Sequence, residues 1–378
     1  MFPERRIWGV KFMARVLIAT GGTGGHIYPA VFVAEELRRR GVDVFFVGAL
    51  GSAEAVLRQR GFLFEIVPAR GFVAKKVTDK FLSVGMMVRG VLRSARVIGR
   101  FRPDVVIGFG GYSSFPAVLA GLLHFVPTII HEQNVVPGSA NRLLAGFVSK
   151  VCVGFRAGLE YFPRAKTVWT GTPVRSFDTS LSRADAVRRF NLDPAQKVVL
   201  VFGGSQGSRR INECFFEMYS SLPPEKSFQV ILSCGQTEYS FYQKKYHDLG
   251  KPSCVRPFIA NIDEAYAACD CAVTRAGAGT VTELGVLGVP AVLVPFPGAG
   301  HHQWMNACVL ERRQATAIIE EKFLSSAILG DKIFKVLALT HSSQILQNSV
   351  IDEFYPDPGQ KLADEILSCA RAGQAVPE

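Results

Sequence analysis

Short runs of β-branched and aromatic residues alternate along this chain with longer stretches in which apolar residues return every three or four positions. In the first half the apolar runs predict strands at 15–20 (RVLIAT), 43–48 (DVFFVG), 63–67, 104–109 (DVVIGF), 127–131 (PTIIH), 150–154 and 167–170. The stretches between them read as helices. One of these, "PAVFVAEELRRRG", is predicted to start at Pro29 and stop at Gly41, since proline suits a first helical turn and glycine a helix end. Strands that are apolar throughout are buried on both faces, so this alternation predicts a parallel sheet with helices on either side.

The pattern pauses over 171–197, "GTPVRSFDTSLSRADAVRRFNLDPAQK", a polar stretch carrying Pro173 and Pro194. It restarts with strands predicted at 197–203 (KVVLVFG), 228–233, 254–259, 270–275, 290–295 and 316–320. Both halves open on strand, glycine turn and helix: "VLIATGGTGGH" and "VLVFGGSQGS". The fold class expected is therefore α/β, with two Rossmann-like domains whose parallel sheets face each other across a cleft. The expected boundaries are 1–13 for an N-terminal extension, 14–172 for a first domain, 173–345 for a second, and 346–378 for a helical segment packing back on the first. A chain of 378 residues is long enough for two such cores.

Ligands of open parallel sheets bind beyond the carboxyl ends of the strands, so the chemistry is expected on the loops there. The first, "ATGGTGGHIYPA" (19–30), lacks the G-x-x-x-x-G-K-[ST] spacing of a nucleoside triphosphatase. It also lacks G-x-G-x-x-G, because Ile27 stands at the third position; this disfavours a dinucleotide-dependent dehydrogenase. Its glycines nevertheless let backbone approach a ligand, and the following helix start offers N–H groups and a positive dipole end. His26 stands at that helix start, where the dipole favours neutral imidazole over imidazolium. Two readings stay open for it: a general base for a hydroxyl proton, or a histidine that hydrogen-bonds a backbone carbonyl.

Further loops join it on the same rim. "GFGGYSSFPAVLA" (108–120) follows the fourth strand and "HEQNVVPGSAN" (131–141) the fifth, setting His131, Glu132, Gln133 and Asn134 in succession. In the second half, "GGSQGSRRIN" places Ser205 and Gln206 at a helix start, and "TRAGAGTVTELGVLGVP" (274–290) puts Ala278, Gly279 and Thr280 one turn before Glu283. "PFPGAGHHQWMNA" (295–307) contributes His301, His302, Gln303 and Asn306. No carboxylate accompanies the histidine pair, so hydrogen bonding to a polyol or a base is preferred over a metal. Small turns for a diphosphate, a carboxylate for vicinal hydroxyls and amides for a sugar suggest a nucleotide-sugar site in the C-terminal half.

Charge adds a partner. Lys plus Arg number 43 against 32 Asp plus Glu, a formal net charge of +11, which implies something anionic. The excess concentrates in 71–104, where Lys75, Lys76, Lys80, Arg89, Arg93, Arg96, Arg100 and Arg102 are interleaved with Phe72, Val73, Phe81, Leu82, Val84, Met86, Met87, Val88, Val91 and Leu92. Within that stretch Asp79 alone relieves the charge before Asp104. A basic apolar segment of this kind reads as a helix lying on an anionic membrane surface, the alternative being a crossover helix with solvated arginines. No recognition-helix, RNP or zinc-finger pattern points to nucleic acid. The eight cysteines show no C-x-x-C and no zinc spacing, so reduced, buried thiols of a cytoplasmic protein and no structural metal are expected. No apolar run approaches the roughly 20 residues of a spanning helix.

Taken in order, "GGTGGHIYPA", "GFGGYSSFPAVLA", "HEQNVVPGSAN", "GTPVR", "GGSQGSRRIN", "RAGAGTVTELGVLGVPAVLVPFP" and "HHQWMNA" resemble the MurG family, bacterial UDP-N-acetylglucosamine transferases that convert lipid I to lipid II. The resemblance runs from about Ala14 to the C-terminal helix. It implies a GT-B fold, inverting transfer without a metal or other cofactor, and a peripheral position on the inner face of the cytoplasmic membrane. By motif it implies roles in substrate binding for Thr23, Gly24, Gly25, Asn134, Arg175 and Ser205. Ile259 is implied at uracil, Ala278, Gly279, Thr280, Val281, Thr282 and Glu283 in the donor loop with Glu283 on the ribose, and Gln303 on the sugar hydroxyls. His26 is the base of choice. The chain departs from the family pattern in lacking the acidic residue many relatives carry before H-Q, and in having Gly279 where a bulkier residue is common. Rival readings are another GT-B enzyme, such as an epimerase or a soluble-acceptor transferase, and a non-catalytic glycolipid- or nucleotide-binding protein.

Overall fold

The computed structural model describes residues 14–22, 24–51, 53–69, 77–177, 180–204, 207–298, 301–311, 316–339 and 354–373. The chain forms two compact units, one running to Val174 and resuming at Tyr355, the other Arg175–Phe354. Every strand expected from the sequence is present, each within two residues at either end of the predicted run except the one predicted at 254–259, which ends three residues early at Arg256.

In the first unit the described residues form a parallel sheet of β1 (Arg15–Ala19), β2 (Asp43–Gly48), β3 (Leu63–Ile66), β4 (Val105–Gly108), β5 (Thr128–Glu132), β6 (Lys150–Val153) and β7 (Thr167–Trp169), in the order 3-2-1-4-5-6-7. Its helices are α1 (Gly24–Arg39), α2 (Ala53–Gln59), α3 (Val77–Phe101), α4 (Gly111–Leu123) and α5 (Ser139–Leu144). β1 shows why the strands read as unbroken apolar runs. Val16 and Ile18 pack with α1 on one face, while Leu17 and Ala19 pack with Val97, Ile98 and Phe101 of α3 and Val118 of α4 on the other.

The second unit repeats the plan. β8 (Val198–Phe202), β9 (Gln229–Ser233), β10 (Ser253–Arg256), β11 (Cys271–Thr274), β12 (Ala291–Leu293) and β13 (Thr316–Ile318) form a parallel sheet in the order 10-9-8-11-12-13. Around it lie α6 (Arg183–Arg189), α7 (Arg209–Ser221), α8 (Tyr239–Leu249), α9 (Ile262–Ala268), α10 (Ala278–Leu287), α11 (His302–Glu311) and α12 (Ser326–Ala338). In both sheets strand order reverses beside the first strand, between β1 and β4 and between β8 and β11. Such a switch point leaves a crevice at the carboxyl ends of the strands.

The last helix, α13 (Pro358–Ala372), returns to the first unit. Leu362, Ala363 and Ile366 are fully buried against the α1 side of that sheet, and Lys150 meets Glu365 at 2.5 Å. Gly171 (φ +74°) makes the return feasible, because a Cβ there would stand 2.6 Å from Tyr355 Cβ.

Two expectations need correction. Helix α1 begins at Gly24, five residues before Pro29. Pro29 lacks the N–H that would bond the Gly25 carbonyl and sets its ring against that carbonyl, a local cost that the burial of α1 in the core offsets, so proline does not have to be the first residue. Helix α4 repeats the arrangement, opening at Gly111 with Pro116 inside. The charge of α3 also has a relief that its own stretch of sequence hides: Glu65 of β3 accepts from Arg93 Nε at 3.0 Å and Arg100 Nη2 at 2.6 Å.

Candidate functional site

At the switch point of the first unit, the glycines divide the work. A Cβ on Gly22 would sit 2.3 Å from the Leu50 carbonyl, and one on Gly21 2.9 Å from Ser113 Oγ, so both are required for packing. Gly25 faces open space, leaving backbone accessible to a ligand; Thr23 lies outside the described residues. In the first turn of α1, His26 directs Nδ1 at Gln133 Oε1, 3.0 Å away. Its ring lies against Gly110 (φ +79°) and Gly111 (φ +69°) at the start of α4. A Cβ on Gly111 would come within 3.3 Å of His26 Nε2.

Behind His26, the end of β5 forms a buried polar cluster. His131 Nε2 is 2.9 Å from the Gly171 carbonyl, and Gln133 Nε2 is 3.0 Å from His131 Nδ1. Burial lowers the His131 pKa to about 4, so its ring is neutral at physiological pH. Glu132 accepts from the backbone and side-chain amides of Asn134, from Gly138 N and from Asn141 Nδ2, bracing the loop that carries Asn134. A buried carboxylate is tolerated because these donors replace its water.

In the second unit the loops after β8 and β11 meet. Gly207 (φ +77°) is irreplaceable, since a Cβ there would lie 2.1 Å from the Cys234 carbonyl, whereas Gly204 faces open space. Helix α7 then starts without a side-chain cap, its first-turn N–H groups lacking intrahelical partners; Ser205 and Gln206 lie outside the described residues. Arg275, at the end of β11, donates to Ser208 Oγ at 2.8 Å and to the Val294 carbonyl at 3.1 Å, and pairs with Glu321. It thereby ties three loops together. Its one signal in the sequence is a charged residue directly after the buried strand CAVT.

Helix α10 starts on Gly277, again with no side-chain cap. Ala278, Val281 and Thr282 turn into the core, so only their backbone can face a ligand, while Gly279, Thr280 and Glu283 reach the surface in part. Glu283 Oε1 lies 3.3 Å from Arg175 Nε, and Tyr266 donates its hydroxyl to Oε2 at 2.9 Å. Burial raises the Glu283 pKa, with Arg175 and Tyr266 opposing it. Arg175 also donates to the carbonyl of Ala260, next to the buried Ile259. Tyr266 was missed because nothing local marks one aromatic position of α9. Gln303 accepts from the amides of Ala276 (3.2 Å) and Phe296 (2.9 Å) through Oε1, which leaves its NH2 end for outward donation. Asn306 donates to the Ala276 carbonyl, so the peptide ahead of α10 is clamped from both sides.

Two doubly wound units with glycine-rich helix starts at each switch point define the GT-B class of glycosyltransferase. Residues 16–153 match the glycosyltransferase family 28 N-terminal domain and residues 198–351 the family 28 C-terminal domain. The UDP-N-acetylglucosamine–N-acetylmuramyl-(pentapeptide) pyrophosphoryl-undecaprenol N-acetylglucosamine transferase of Thermodesulfovibrio yellowstonii is 37% identical over 362 residues, covering 94% of this chain and 99% of that one. The enzyme of the same name from Halalkalibacterium halodurans is 35% identical over 85% of this chain and 89% of its own. The crystal structure of Acinetobacter baumannii MurG superposes with a TM-score of 0.71 at 26% identity, over 94% of this chain and 99% of that one. The chain belongs to the family of these N-acetylglucosamine transferases.

Proposed function

We propose that the protein transfers N-acetylglucosamine from UDP-N-acetylglucosamine to the 4-hydroxyl of the N-acetylmuramoyl-pentapeptide of undecaprenyl-diphosphate-linked lipid I, giving lipid II and UDP for peptidoglycan synthesis. The observation that carries this reading is the pairing, in one chain of that family, of an oriented imidazole at one switch point with a built carboxylate cradle at the other.

His26 Nε2 takes the proton of the acceptor hydroxyl as its oxygen attacks the anomeric carbon. The bond from that carbon to the UDP oxygen breaks on the opposite face, so configuration inverts. The departing diphosphate is stabilised by Ser205, the first-turn amides of α7 and the dipole behind them. Glu283, held by Arg175 and Tyr266, accepts from the ribose hydroxyls, with the Ile259 segment against uracil. The amides of Ala278, Gly279 and Thr280 line the same loop, and Gln303 donates to the sugar. On the acceptor side, Thr23, Gly24, Gly25 and the braced Asn134 bring backbone and amide groups to the lipid-linked substrate.

Among the described residues no helix is long and apolar enough to cross a membrane. Val84, Val88 and Leu92, four residues apart on α3, nonetheless point outward with Arg89, Arg93 and Arg96 beside them. This supports peripheral attachment to the anionic inner face of the cytoplasmic membrane through segment 71–102. Incubation with labelled UDP-N-acetylglucosamine and a lipid I analogue is expected to yield a disaccharide lipid. Release of free sugar, epimerisation, or binding without turnover would overturn the assignment.

A further inference from the structure

A single file of hydrogen bonds runs from Gly171 to His26, and its polarity has one solution. The Gly171 carbonyl can only accept, so His131 Nε2, 2.9 Å away, carries a hydrogen. Because burial keeps His131 neutral, its Nδ1 is then a lone pair. The Gln133 atom 3.0 Å from that lone pair must be the amide nitrogen, which fixes the direction of the amide. Its oxygen therefore faces His26 Nδ1 at 3.0 Å and accepts from it. His26 carries its hydrogen on Nδ1 and its lone pair on Nε2, the nitrogen beside Gly111.

We infer that Gln133 and His131 are positioning residues that hold His26 in the Nδ1–H tautomer, presenting Nε2 as the proton acceptor. The inference rests on the reading of His26 as the base. Both residues are almost wholly buried, so reversing the file would leave donors facing donors and lone pairs facing lone pairs with no water to compensate. A second bond from Gln133 Nε2 to the His131 carbonyl at 3.3 Å holds the amide the same way round. If His131 gained a second proton, the amide would turn over, and His26 would place its hydrogen on Nε2, where a base needs a lone pair.

Two measurements on the full-length protein test this. Long-range 1H–15N spectra of the imidazole nitrogens, with His26 assigned by the signal lost in His26→Gln, are expected to show Nδ1 protonated and Nε2 bare. The opposite assignment overturns the inference whatever the kinetics show. In lipid I transfer assays, Gln133→Met keeps the length but neither hydrogen-bonding end; kcat is expected to fall about 10²-fold, the scale of a disabled general base, with KM for UDP-N-acetylglucosamine unchanged. Gln133→Glu still accepts from His26 Nδ1–H, its second oxygen pairing with a proton drawn onto His131. It is expected to be at least about tenfold more active than the methionine variant. A residue that merely fills space would suffer more from the buried charge than from methionine, so a glutamate variant slower than the methionine one overturns the positioning role. Retained turnover in His26→Ala would instead defeat the base assignment, and the spectra would still decide the tautomer.

Discussion

The proposed mechanism gives His26 and Glu283 different jobs, and kinetics separates them. Removing a general base lowers turnover by about 10² to 10⁴ and leaves substrate affinity largely intact. His26→Ala is therefore expected to lose kcat on that scale with little change in KM for UDP-N-acetylglucosamine, and near-normal steady-state turnover would remove it as the base. Glu283 is proposed to act in binding. Glu283→Gln keeps the shape but loses a charged acceptor worth roughly 1.5 kcal/mol or more, so KM for the sugar nucleotide should rise at least about tenfold while kcat changes less. Burial raises the Glu283 pKa, so this carboxylate takes up its proton at a higher pH than an ordinary glutamate. On acidification nucleotide affinity should accordingly begin to fall earlier than ordinary carboxyl titration would give, and that early onset should vanish in Glu283→Gln. Isothermal titration across the acid range reads both effects.

At the scale of elements, the informative parts are the helix starts and α3. Helices α1 and α4 each open on glycine and carry a proline inside, and the start of α4 lies against the imidazole that the first turn of α1 carries. Two successive residues of positive φ, Gly110 and Gly111, leave room for that ring, which a side chain at either position would crowd. Helix α3 buries Met87, Val97 and Ile98 and leaves Val84, Val88 and Leu92 exposed, so its outer apolar stripe is not consumed by the fold. Replacing these three by aspartate is expected to abolish co-sedimentation with anionic vesicles while sparing turnover of a water-soluble acceptor analogue. Each arginine reversed to glutamate at 89 or 96 should weaken vesicle binding by about 1 kcal/mol or more, in a salt-sensitive way. Unaltered sedimentation would leave α3 as an ordinary crossover helix.

At the scale of the molecule, each unit has its own sheet and its own core, and the C-terminal helix belongs to the first. Nucleotide bound to the second unit should stabilise that unit in particular. At a hundred times its Kd, UDP should add about 2.7 kcal/mol, read by hydrogen exchange as slowed opening of β8 and β11 with β1 and β4 little changed. Protection gained only in the first unit would place the nucleotide on the wrong sheet. The duplication also explains why one fold serves two ligands. The same strand order generates a crevice with helix N-termini in each unit, and side chains grafted on the loops decide what that crevice holds.

What the sequence determined by itself was everything carried by local pattern. Strands buried on both faces must be apolar throughout, so runs such as RVLIA and VVLVF were legible without any partner. Glycine turns followed by helix patterns marked the loops that bear His26, Ala278 and Glu283. Tertiary structure alone decided the rest, because polarity and pairing depend on groups far apart in the chain. Glu65 relieves Arg93 and Arg100 from another element, and Tyr266 reaches Glu283 from a neighbouring helix. Gly171, 40 residues beyond His131, sets the direction of every hydrogen bond back to His26. A sequence names the donors and acceptors; only the fold fixes which of them face each other away from water, and there an unmatched pair costs too much to persist.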